Sequence, residues 1–179
     1  MHNKNFIVIL YNLRSVYNTA SIFRTADASG AVSKIYLCGT TPSPKDRFGE
    51  WRQDFVKVSL GAEKNILWEK INTIFQTLKL IKNLKNEGYK IWSVEQDKTS
   101  IHYYLAKKEL TRDSKIVLIF GNETKGISNS ILNLSDKILE IPMQGKLIKE
   151  KDHPKKNKKA KESLNVSVSF GIVLFNLLF

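Results

Sequence analysis

The stretch "IFGNETKGIS", residues 119–128, sets Gly121, Asn122, Glu123, Gly126 and Ser128 directly behind an apolar run. A carboxylate between two glycines at the mouth of a buried strand has neighbours that can bend closely around a ligand, because glycine accepts backbone angles and approaches that other residues refuse. The G-x-x-x-x-G spacing is that of a phosphate-binding loop, yet Ile127 and Ser128 stand where Lys and then Ser or Thr are needed. A Walker loop is therefore excluded. No G-x-G-x-x-G occurs, so a dinucleotide site of the Rossmann kind has no support. A purely structural explanation is a tight turn with Asn122 or Glu123 capping the next helix.

Two further segments carry polar groups of the same sort. In "NLRSVYNTASIFRTADASG", residues 12–30, the pattern predicts a helix from Thr19 to Ser29, with Asn18 at its cap, Arg24 near the second turn and Gly30 as the stop. In "EIPMQG" and "SLNVSVSFGI", residues 140–145 and 163–172, Pro142 ends a strand and Gly145 allows close backbone approach. Ser163 and Asn165 there offer hydrogen bonds beside a packed element.

These groups need elements to hold them. "FIVIL" (6–10), "KIYLC" (34–38), "KIWSV", "KIVLIF" and "KILEI" (137–141) read as strands. Apolar Ile71, Ile74, Phe75, Leu78, Ile81 and Leu84 predict a helix over 69–86 that ends before Gly88, and "SIHYYLAKKEL" a short one. Strands alternating with helices predict an α/β domain on a mostly parallel sheet. The C-terminal "NVSVSFGIVLFNLLF" is too short and too polar for a membrane span, and its local pattern fits helix or strand. The stretch "GTTPSPKDRFGEWRQD" reads as an exposed loop, both basic and aromatic at Arg47, Phe48, Trp51 and Arg52.

The chain has 179 residues, 42% hydrophobic and 26% charged, which is the composition of one globular domain, residues 1–179. Its net charge of +12 favours polyanionic partners, nucleic acid first and an anionic membrane surface second. Half of that charge lies in "KLIKEKDHPKKNKKAK", residues 146–161, where eight lysines face Glu150 and Asp152. The lone Cys38 excludes an internal disulfide, and His2, His102 and His153 lack metal-ligand spacing. The expectation is a reduced, metal-free cytoplasmic protein, with no signal peptide in "MHNKNFIVIL".

In their order along the chain, the segment from Asn18 to Arg24, the "FGNE" and "KGIS" turn, and "IPM" with "SLNVSV" resemble the three motifs of the SpoU/TrmH-type branch of the SPOUT superfamily of RNA methyltransferases. The resemblance spans nearly the whole chain, with "KVSLGAE" (57–63) as a weaker match. It implies an α/β fold whose C-terminal part forms a deep trefoil knot, a helix after "SLN", and a homodimer with the active site near the interface. The implied cofactor is S-adenosylmethionine, with Gly121, Gly126, Ile141, Met143 and Leu164 as its contacts. The implied reaction is methyl transfer to a ribose 2′-hydroxyl of tRNA or rRNA.

By the same resemblance Arg24 activates the hydroxyl or stabilises charge on its oxygen, held by Asn18, while Glu123, Ser163 and Asn165 order the site. Free arginine is always protonated, which favours charge stabilisation over proton removal. The departure from the family pattern is the lysine-rich 146–161 insertion within the knot region, for which an RNA clamp is the expectation. Two alternatives stay open at this point: a catalytically silent knotted RNA-binding protein, and a SPOUT base methyltransferase.

Overall fold

Strands β1 (Asn5–Tyr11), β2 (Val32–Cys38), β3 (Leu67–Ile71), β4 (Lys90–Val94), β5 (Ile101–His102), β6 (Lys115–Phe120) and β7 (Lys137–Glu140) form one sheet in the order β3-β2-β1-β6-β4-β7-β5. Every pairing is parallel. This is a computed structural model, and it describes residues 5–144 and 163–179. The 146–161 insertion, Gly145 and the N-terminal Met1–Lys4 therefore lie outside the described residues.

Helices cover both faces, which is why the strands are apolar on both sides. Phe6, Val8 and Leu10 of β1 face a core completed by Phe23 and by Phe170 and Leu174. Ile7 and Ile9 face the opposite core with Ile81, Leu84 and Ile131. The helices are α1 (Val16–Ser29), α2 (Gln53–Ser59), α3 (Ala62–Asn65), α4 (Ile74–Asn86), α5 (Tyr103–Ala106), α6 (Asn129–Leu132) and α7 (Val166–Leu178). No helix among the described residues is long and apolar enough to cross a membrane.

Three local expectations need correction. Helix α1 starts one turn early: Ser15 is its N-cap, accepting from the Asn18 amide at 3.1 Å, so Asn18 lies inside the helix. Both residue types cap well, and the earlier one wins because Asn18's side chain is engaged elsewhere. The helix expected from Glu69 begins at Ile74, behind a Thr73–Gln76 capping box. Residues 67–71 instead pair with β2 as an edge strand, since Ile71 suits either period and the open edge of β2 decides. Finally, "SIHYYLAKKEL" divides into β5, α5 and a 3-10 turn at Lys107–Glu109.

The ambiguous C-terminus is the helix α7, with Asn165 as its N-cap. It is pinned to the sheet where Phe170 meets Phe120 edge-on, with ring centroids 5.4 Å apart. Phe170→Ala is expected to cost about 3–5 kcal/mol, read from equilibrium urea unfolding. Burial pushes the Cys38 thiol from 9.0 up to about 11. The folded chain should therefore resist alkylation at pH 8. The stability that the buried thiol contributes is complete below pH 9 and is lost as pH rises through about 11, checked by unfolding across that range.

Candidate active site

Parallel strands deliver their carboxyl ends to one side of a sheet, where ligands of open α/β folds bind. A cavity of about 420 Å³ opens there, beyond the ends of β4, β6 and β7. Gly121, Gly126, Ile141, Met143, Ser163 and Leu164 all line it, together with Glu123.

The wall after β6 is a turn closed by main-chain and amide groups. Asn122 is buried, and its side-chain oxygen accepts from the Thr124 and Lys125 amides at 2.9 and 2.8 Å. Its Nδ2 donates to the Asn12 carbonyl at 2.7 Å, tying the turn to the end of β1. The Gly126 amide returns to the Asn122 carbonyl at 2.9 Å, with Gly126 at φ +65°. At Gly121 a side chain has no room: an added Cβ would lie 2.5 Å from Ile127 Cγ1 and 2.7 Å from its amide nitrogen.

Glu95, just past β4, holds the other side of this turn. Its Oε2 accepts from the Ile127 amide at 2.9 Å, and its carboxylate occupies the space a Gly126 side chain would need. Sequence reasoning passed over Glu95, although the signal was the one used for Glu123: a carboxylate directly after a buried strand. Asn12 was also missed. It sits at φ +58° and its Oδ1 accepts from the Thr40 amide at 3.0 Å.

Beside the cavity three distant segments meet through side chains. Asn18 donates from Nδ2 to Glu123 Oε1 at 3.1 Å, and its Oδ1 accepts from Asn165 Nδ2 at 3.0 Å. Asn165 uses its own Oδ1 to cap α7, accepting from the Ser167 amide at 2.9 Å. The structure thus brings together Asn18, Glu123 and Asn165, residues 105 and 147 positions apart in the chain.

Arg24 is not part of this chain of bonds. It is exposed, does not line the cavity, and has no polar partner among the described residues. Six residues beyond Asn18, it stands about 9 Å further along α1 and roughly 120° around it. The expectation that Asn18 holds the guanidinium is corrected: the Asn18 amide is spent on Glu123 and Asn165.

Residues 5–148 match the model of the SpoU rRNA Methylase family. The chain belongs to that family.

Among its relatives, a tRNA (guanosine(18)-2′-O)-methyltransferase of Aquifex aeolicus is 30% identical over 172 residues, covering 96% of this chain and 68% of its own length. The crystal structure of the A. aeolicus TrmH/SpoU tRNA modifying enzyme superposes with a TM-score of 0.69 at 28% identity, over 97% of this chain and 74% of that one. An AdoMet-bound rRNA methyltransferase from Sinorhizobium meliloti shares the fold, with a TM-score of 0.73 at 23% identity over 99% and 56%. The chain spans 57 to 68% of the length of the first curated relatives it matches.

S-adenosylmethionine fits what the SpoU-family site offers. The cavity lies within the roughly 300–1,000 Å³ of small-molecule pockets, its wall at Gly121 is bare backbone, and apolar Ile141, Met143 and Leu164 line it beside the polar turn. Gly121→Ala is expected to displace the 126–127 backbone and weaken S-adenosylmethionine about tenfold, near 1.4 kcal/mol. Isothermal titration calorimetry on the folded variant checks this.

Proposed function

We propose that the chain transfers a methyl group from S-adenosylmethionine to a ribose 2′-hydroxyl of structured RNA, tRNA or rRNA. The observation that carries this function is the junction of Asn18, Glu123 and Asn165 beside a glycine-walled cavity, in a member of the SpoU family. Within the fold we assign the C-terminal part to the deep trefoil knot. The site works in the cytoplasm, within one domain spanning residues 1–179.

The cofactor supplies a methyl group already activated on a sulfonium. What remains for the protein is alignment and charge. The turn at 121–127 and the segments at 141–143 and 163–164 grip the adenosyl group. Asn18 holds the Glu123 carboxylate in one orientation, with Asn165 anchoring the same amide to the start of α7. Glu123 and Ser163, both exposed at the cavity, position the target ribose.

The guanidinium of Arg24 stabilises charge developing on the 2′-oxygen, which suits a group that keeps its proton. It does so in the site of a second copy of the chain. Supporting this, Arg24 stands away from its own cavity, and Val168 and Phe175 of α7 leave apolar surface exposed at 49% and 40%. A homodimer across α7 buries that surface and completes two sites. Lysines of 146–161 add sequence-independent affinity for phosphates.

Incubation with methyl-labelled cofactor and total tRNA or rRNA is expected to label RNA at nucleotides that resist alkaline cleavage. Cofactor binding without transfer would favour the silent RNA-binding alternative, and label on a base the base-methylating one. Arg24→Ala and Glu123→Ala should each lower turnover by about 10²–10³-fold while cofactor binding by Arg24→Ala stays intact. Co-expressed as mixed dimers, the two variants should recover activity well above either parent, because one site then holds both wild-type groups. No recovery would sink the shared site.

A further inference from the structure

The loop between β2 and α2 carries four groups suited to RNA, and the structure separates them. Trp51 is half-buried, paired in a short bridge with Lys45, whose Nζ lies 4.8 Å from the centre of its ring. Arg52 is engaged with Asp54, Nε to Oδ1 at 3.1 Å and Nη2 to Oδ2 at 2.8 Å. Phe48 is the exception. Its ring is 74% exposed at the loop tip, with the Arg47 guanidinium 4.7 Å from its centre.

An exposed phenylalanine on a floppy loop would mean little, but this loop is built to stand still. Asp46 Oδ1 accepts from the Phe48 and Glu50 amides at 2.8 and 3.0 Å, and the Glu50 carbonyl accepts from the Asp46 amide at 2.9 Å. Gly49 takes the left-handed position at φ +86° that lets the chain reverse. At the loop's root the buried Thr41 hydroxyl lies 2.8 Å from the Leu10 carbonyl, and Lys70 Nζ reaches the Gly39 and Thr41 carbonyls at 2.5 and 2.6 Å. At its far end Phe55 packs edge-on to Phe23.

That root is also wired to the active site. Asn12 takes the Thr40 amide with its side chain and gives its carbonyl to Asn122, the residue that closes the turn at the cavity. The loop and the cofactor wall therefore share one anchor.

We propose that Phe48 and Arg47 form a stacking platform for an unpaired nucleobase of the substrate RNA, next to the nucleotide that enters the active site. This rests on the assignment of RNA as substrate and adds a recognition residue outside the catalytic cavity. One face of the Phe48 ring is left for a base, and stacking is indifferent to base identity because every base has a π-face. Arg47 on the other side of the ring brings a positive charge to the adjoining phosphate. The +12 charge of the chain favours a polyanion over an apolar protein, and the bare Phe48 ring favours RNA among polyanions, because its bases stack on an aromatic face. The requirement for an unpaired base makes the platform a reader of loops and ends rather than of duplexes.

The test uses the full chain with two fluorescent RNAs of equal phosphate count, a stem–loop and a fully paired duplex. The wild type should prefer the stem–loop. Phe48→Ala should weaken stem–loop binding roughly 10-fold to 100-fold while duplex binding stays unchanged, and Phe48→Trp should keep the preference. Arg47→Ala should weaken both RNAs and lower the salt slope by about one. Equal affinity of Phe48→Ala and wild type for the stem–loop overturns the platform. So does a loss of the dimer in sedimentation of Phe48→Ala, which would make the ring a contact between copies. Methyl transfer by the wild type is scored separately: its absence counts against the enzymatic function alone, and the binding difference counts for or against the platform alone.

Discussion

A side-chain amide can donate and accept at once, and the site depends on Asn18 doing both. Its nitrogen binds the Glu123 carboxylate and its oxygen receives the Asn165 amide. Asp in its place could only accept, and an aliphatic residue could do neither. Through this one group the first turn of α1, the turn after β6 and the N-terminus of α7 are locked together. Asn165 meanwhile satisfies the free amides of α7, so the junction also decides where the last helix begins.

Behind the junction stands the parallel sheet. With all seven strands running one way, the ends of β1, β4, β6 and β7 open on the same side, and the segments that follow them become neighbours. Asn12, Glu95 and Asn122 then convert proximity into fixed geometry by binding backbone amides and carbonyls that would otherwise be unpaired. At the cavity wall glycine stands where bulk is impossible, at Gly121 against Ile127 and at Gly126 against Glu95. The cavity wall and the root of the 42–52 loop share one anchor, Asn12, which ties the two regions into one frame.

Much of this was legible beforehand. The five strands β1, β2, β4, β6 and β7 stood out as short β-branched runs, and Gly30 marked the end of α1 where it adopts φ +62°. The errors cluster at element ends, where two local solutions cost nearly the same. Ser15 and Asn18 are both good caps, and Ile71 fits a strand of period two as well as the helix that follows. Glu95 and Asn12 went unnoticed because their partners, Ile127 and Thr40, lie 32 and 28 positions away.

The sequence by itself determined the α/β alternation, the basic character, the three polar bends and their likeness to the SpoU family, since composition and short-range spacing encode these directly. Only the tertiary structure decided that Asn18 bridges Glu123 and Asn165, that Arg24 stands apart from them, and that Phe48 rather than Trp51 is bare. Those outcomes follow from competition among distant groups for a limited set of hydrogen bonds and ring faces, and no local stretch of chain records who wins.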